Sequence, residues 1–161
     1  MEDHQSNQQD ILTNLILNIF RVNARLLEKG DQLVAPIGMT SARWQVLGAI
    51  ALSEEALTCP RIASVMGISR QGALKQLNLA VKQGLIAVIV NPHHGRSPLY
   101  KLTRLGKKLY EESMRIQKVW GKDLLKGITL KDLKTALDVL CTLEARLLTP
   151  KSITPFPCCK A

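Results

Sequence analysis

Apolar residues recur at three- and four-residue spacing over most of this chain, and one short stretch is instead almost continuously aliphatic. The first periodic segment runs from Asp10 to Lys29, with Ile11, Leu12, Leu15, Ile16, Ile19, Phe20, Leu26 and Leu27 on helical spacing. Leu17 and Val22 widen the stripe beyond one side, so this helix needs more than one partner. A second subunit supplies that partner most simply, and burial inside a monomer is the alternative. Gly30 to Gly38, with Pro36, reads as a loop. Thr40 or Ser41 then caps a helix containing Trp44, Val46, Leu47, Ala49, Ile50 and Leu52, which ends at the polar turn Ser53–Glu55.

Two short helices follow. Thr58 can cap the first, which has Pro60 in its opening turn and closes at Gly67. Ser69 is placed to cap the second, which runs to Gln83 with Leu74, Leu77 and Val81 on its apolar side and ends at Gly84. Arg70, Gln71, Lys75, Gln76 and Lys82 occupy the other side. The aliphatic run Leu85 to Val90 and the segment Leu99 to Leu102 predict a two-stranded hairpin, with Pro98 tolerable on an edge or near the turn. Thr103 starts a long helix through Lys126, Gly127 ends it, and Thr129 caps a last helix bearing Leu130, Leu133, Leu137, Leu140, Leu143, Leu147 and Leu148. The predicted fold is mainly α with a small β-hairpin wing.

Charge changes the picture. The chain carries a net +9, yet Ala56 to Tyr110 contains no Asp or Glu and nine basic residues, while the other thirteen Lys and Arg balance the thirteen acids. Solubility alone would not concentrate charge in this way. A polyanion would, because each neutralised phosphate releases condensed counterions. A helix with an apolar back and a front of long cationic and amide side chains, set behind a tight glycine turn, meets the requirements of a major-groove reading helix.

The order of LTCPRIASVMGIS, SRQGALKQL, the strand LIAVIV, the tip NPHHGRS and then LYKLTRLGKKL resembles the winged helix-turn-helix of the MarR (multiple antibiotic resistance regulator) transcription factors. MTSARWQVLGAI resembles the family's preceding helix, and the terminal helices its dimerisation region. The resemblance implies one MarR-like domain over 1–161. Within it lie a DNA-binding lobe at 40–103, dimerisation helices at 10–30 and 104–148, and a flexible tail at 149–161. Asn91-Pro92-His93-His94-Gly95-Arg96 falls on the family's wing motif Asp-Pro-x-Asp-x-Arg, which puts Arg96 on the minor-groove arginine and His94 on an aspartate position. Gly72 stands where the family usually has Ser or Thr.

The expected DNA-contacting residues are therefore Arg61, Ser69, Arg70, Gln71, Gly72, Lys75, Gln76, His94 and Arg96, with double-stranded DNA as the partner. Arg70 can read guanine, Gln71 or Gln76 adenine, while Lys75 and Lys82 suit phosphates. A twofold dimer would place two reading helices in grooves about 34 Å apart. Leu12, Leu15, Ile19, Leu140, Leu143 and Leu147 are its expected contacts. The resemblance also implies an effector pocket, in which Phe20, Met39, Arg43 and Trp44 could hold a small aromatic or anionic molecule. Trp44 can equally be a core residue.

Other chemistries find less support. Cys59 lies at a helix start beside Arg61, where dipole and cation favour a thiolate, but a lone cysteine is also a small packing residue. Cys59, Cys141, Cys158 and Cys159 do not form a disulfide framework, and reduced thiols are expected. Adjacent His93 and His94 point to opposite faces of a strand, which suits phosphate contact or exposure better than a metal. No nucleotide-binding glycine loop, His-Glu-x-x-His motif or nucleophile with a base partner is visible, so neither an enzyme nor a cofactor is expected. The polar, acidic start MEDHQSNQQD is unlike a signal peptide, no apolar run is long enough to span a bilayer, and a cytoplasmic location with no membrane partner follows as an expectation. The competing readings are a winged-helix protein-interaction module, a nonspecific DNA-binding protein and a cysteine-based redox sensor.

Overall fold

A computed structural model describes residues 2–53 and 55–147 of the chain. Glu54, Leu148, the expected tail at 149–161 and its Cys158 and Cys159 lie outside the described residues. The elements in order are α1 (Glu2–Val34), a 3-10 turn (Ala35–Ile37), α2 (Ser41–Ala51), β1 (Leu57–Thr58), α3 (Cys59–Met66), α4 (Arg70–Lys82), β2 (Ile86–Ile89), β3 (Leu99–Leu102), α5 (Arg104–Leu124) and α6 (Leu130–Leu147). No described helix is long and apolar enough to cross a membrane.

The predicted loop at 30–38 is mostly helix, because α1 continues to Val34, which is fully buried. Gly30 supports this continuation. It is buried against α2, and a Cβ there would lie 2.7 Å from the Ser41 hydroxyl oxygen. Asp31 adds a tie, its carboxylate accepting from the Ser41 amide at 2.6 Å. Only at Gly38, with φ +70°, does the chain turn. Thr40 then caps α2 by accepting from the Arg43 amide.

The sheet has three antiparallel strands in the order β1-β3-β2, where the sequence predicted two. Leu57 and Thr58 pair with Tyr100 and Leu99, so β3 is the central strand. The core of Val46, Leu47, Ile50, Ile62, Leu77 and Tyr100 lies between α2, α3, α4 and this sheet. Trp44 is half-buried and packs on its edge. The lobe thus forms around α2, while α1 and α5 lean on the opposite side of that helix and α6 contributes no buried residue.

Candidate nucleic-acid interface

Local signals set the helix-turn-helix. Pro60 sits in the first turn of α3, although Thr58 at its N-cap makes no side-chain capping bond. Gly67 closes α3 in the left-handed region at φ +62°, a conformation that suits a residue lacking Cβ. The Ser69 hydroxyl accepts from the Gly72 amide at 3.0 Å and starts α4. A Cβ on Gly72 would approach that hydroxyl to 3.2 Å, so the cap and the glycine fit each other closely.

The register of α4 differs from the sequence reading in one respect. Its buried stripe is Ala73, Leu77 and Ala80, with Val81 half-buried. Leu74, expected to face inward, is 43% exposed, and Gln76, expected outward, is half-buried. Alanines let α3 and α2 approach α4 closely, which turns the larger Leu74 out of the lobe. The exposed surface is therefore Arg70, Gln71, Leu74, Lys75, Asn78, Leu79 and Lys82. Leu74 and Asn78 were missed as candidates. Their position at i+3 and i+7 from Gln71 was the available signal once Ala73 is taken as the core residue. Arg61 is half-buried on α3.

The wing is built on β2 and β3, registered Ile86 to Leu102 through Ile89 to Leu99. Its tip is organised by Asn91, also unforeseen as a functional residue. The Asn91 amide nitrogen donates to the Ser97 carbonyl at 2.8 Å, and its side-chain oxygen accepts from the His93 amide at 3.0 Å. These bonds hold the loop that presents His93, His94 and Arg96, all exposed. At the wing's base the Thr103 hydroxyl donates to the Gly84 carbonyl at 2.7 Å and accepts from the Gly106 amide at 3.1 Å. One side chain thus joins the end of α4, the root of the wing and the start of α5.

A second feature is a cavity of about 500 Å³ between α1, α2 and α5, lined by Asn23, Leu26, Trp44, Tyr110, Met114 and Trp120 among others. Of the four expected effector residues it gathers only Trp44. Phe20 is exposed elsewhere on α1, and Met39 is buried in the core. Arg43 donates to the Gln83 side chain at 2.8 Å and to the Gly38 carbonyl, tying α2 to the end of α4. Tyr110 and Trp120 were missed because the cavity unites helices remote in sequence. Burial pushes the Tyr110 phenol up from its ordinary range, so it remains a neutral donor at pH 7.

The cysteine expectation divides. Cys59 is a free thiol whose sulfur donates to the Arg70 carbonyl at 3.7 Å. Burial raises its pKa, and Arg70, rather than the anticipated Arg61, pulls it partly back. Packing thus outweighs the cation, the reverse of what a reactive thiolate needs. Cys141 departs from the expectation of reduced thiols, being disulfide-bonded. No group of three or more His, Cys, Asp or Glu that could hold a metal occurs among the described residues.

Apolar surface is concentrated on α1 and α6. A groove of about 670 Å³ between them is lined by Leu15, Ile19 and Val22 from α1 and by Ala136, Val139 and Leu140 from α6. Leu12 and Leu147 are exposed along the same helices, and Leu143 is half-buried.

A sequence model described as the MarR family matches residues 37–97. An uncharacterised protein of Mycobacterium tuberculosis is 35% identical over 102 residues, which is 63% of this chain and 70% of that protein. Among solved structures, a MarR-family transcriptional regulator from Rhodococcus sp. RHA1 superposes with a TM-score of 0.74 at 17% identity, covering 85% of this chain and 96% of the other. The transcriptional repressor CouR bound to a 23-mer DNA duplex gives a TM-score of 0.66 at 24% identity, covering 80% and 90%. With a helix pair, a wing on a three-stranded sheet and flanking helices in this order, residues 37–97 match the MarR family and the chain has the fold of MarR-family winged-helix transcription regulators.

Proposed function

We propose that this chain is a cytoplasmic, homodimeric repressor that binds specific double-stranded DNA and is released by a small molecule. The observation that carries the reading is the joint exposure of Arg70, Gln71, Lys75 and Asn78 on α4 and Arg96 on the wing, within a segment that holds all of the net charge. On this reading α4 enters the major groove. Arg70 reads guanine, Gln71 or Asn78 adenine, and Leu74 can meet a thymine methyl. Lys75 and Lys82 bind phosphate, His94 adds a phosphate contact, and Arg96 enters the minor groove. Residues 40–103 form the DNA-binding lobe, and 10–30 with 104–148 the dimerisation helices.

The effector would occupy the cavity at Trp44, Tyr110 and Trp120, whose aromatic walls suit a flat, amphipathic molecule. It would release DNA by favouring a spacing of the two lobes that the operator does not, since a ligand shifts an equilibrium only by its differential affinity.

Binding to the duplex upstream of the chain's own gene, against a scrambled duplex and across a salt series, tests this with Arg96→Ala in parallel. The expected result is preference for the native duplex, weakening with salt, and a loss of about tenfold or more in the variant. Equal affinity for both duplexes would leave a nonspecific DNA-binding protein. No binding at low salt would overturn the DNA reading in favour of a protein-interaction module. A reporter gene that loses expression when the chain is deleted would reverse the sign of regulation.

A further inference from the structure

A separate cavity of about 430 Å³ lies beneath the wing, between the end of α2, the sheet and the start of α5. Four charged residues of both signs line it: Lys101 on β3, Lys107 and Glu111 on α5, and Glu55 in the turn before β1. Its apolar wall includes Ile50 and Leu102. None of the four charges is spent on an ion pair, since the salt bridges among the described residues are Arg115 with Glu112 and Lys126 with Asp123, both elsewhere. Lys107 and Glu111 are one helical turn apart on α5, but with the cation N-terminal, which is the weaker order for an intrahelical pair.

A simple anion in this cavity would meet two carboxylates, and a simple cation two ammonium groups. A molecule carrying both charges can satisfy both sets, and an apolar body can cover the aliphatic wall. The volume lies at the small end of ligand sites, which suits a ligand of amino-acid size. We propose that the cavity beneath the wing binds a small amphiphilic zwitterion, of the class of free amino acids with apolar side chains. Its carboxylate faces Lys101 and Lys107, and its ammonium faces Glu55 and Glu111. Such a ligand bridges the wing, α2 and α5, and so biases the angle at which Arg96 is presented. The site is distinct from the cavity between α1, α2 and α5, with which it shares only the wall formed by Tyr110.

Calorimetric titration of the full chain without DNA tests this, using L-leucine, isovalerate and isoamylamine as probes. Leucine is expected to saturate at one per chain, with each single-charge analogue weaker by about tenfold. Lys107→Ala and Glu111→Gln, both at exposed positions, should each weaken leucine by about fivefold. Met114→Ala, in the other cavity, should leave it unchanged. Absence of saturable binding at about 20 mM leucine would overturn the proposal. So would isovalerate or isoamylamine binding as tightly as leucine, or affinity that falls with Met114→Ala and not with Lys107→Ala. Since the readout is independent of DNA, its failure leaves the regulator reading standing.

Discussion

Gly106 stands where α5 crosses the root of the wing. A Cβ built there would lie 2.0 Å from the Leu85 carbonyl oxygen, and that oxygen accepts from the Thr103 amide at 3.0 Å. Neither partner is a side chain that can swing aside. Gly106→Ala should therefore destabilise the lobe by about 3 kcal/mol, as overpacking against fixed backbone does. Urea unfolding measures this, and a loss below about 0.5 kcal/mol would show that α5 shifts freely.

Cys59 gives the pH-dependent case at the same scale. Burial raises its pKa, with Arg70 opposing, so the folded chain favours the protonated thiol. By linkage that preference is fully present below the unfolded thiol's pKa and is lost as pH rises through the folded value. Iodoacetamide should accordingly label Cys59 more slowly in the native chain than in the urea-unfolded chain at pH 8, with native labelling rising only at higher pH. Peptide mapping reads the site, and faster native labelling would restore the redox reading.

Among the elements, α4 separates two leucines of equal size by register alone. Leu77 is fully buried and Leu74 is 43% exposed. Leu77→Ala should cost about 3 kcal/mol in unfolding free energy, while Leu74→Ala should cost less than about 1 kcal/mol and act instead on the native DNA site. Equal stability losses would mean the stripe is misassigned. The sequence placed both inside because apolar size was taken as the mark of the core. The lobe actually closes on Ala73 and Ala80, small residues that a hydrophobic pattern undervalues.

What was legible follows the same logic. Caps at Thr40, Ser69 and Thr103, the turn at Gly67 and the strand Leu99–Leu102 are local signals and lie where the residues predicted. By contrast β1 is two residues long and exists only by pairing with β3, so no periodicity could announce it. The helical run through Gly30 depends on a contact with Ser41, again invisible locally. On the candidate surface, the exposure of Arg70 and Arg96 was readable from motif and charge. The loop closure at Asn91 and the cavity walls at Tyr110 and Trp120 were not, because they arise from local loop hydrogen bonds or from helices far apart in sequence.

At the scale of the whole molecule, the unresolved demand is apolar surface. Leu133, Leu137 and Leu140 are each about two-fifths exposed, and α6 has no fully buried residue in the single chain. Thr129 and Asp132 cap each other at its start, the hydroxyl accepting from the Asp132 amide and the carboxylate from the Thr129 amide. Caps contribute about 1 kcal/mol, too little to hold an isolated helix against its conformational entropy. Stability must come from packing, and the α1–α6 groove is lined by aliphatic side chains that a second copy of the same helices can fill. A twofold arrangement would bury the groove of both copies and set the two α4 helices for successive major grooves about 34 Å apart.

Introducing a charge into the groove should expose this dependence. Leu140→Glu is expected to sediment at the mass of one 17.8 kDa chain under conditions where the parent sediments at about twice that. The variant should bind an isolated half-site about as well as the parent does, since α4 and the wing are untouched. It should lose the larger affinity for a duplex carrying both half-sites, because that affinity comes from linking two binding events. If the parent itself sediments as a single chain at micromolar concentration, the groove is not a dimer interface. Equal loss on half-site and full site would instead mean that the substitution unfolds the lobe, which the circular dichroism melt of the same sample would reveal.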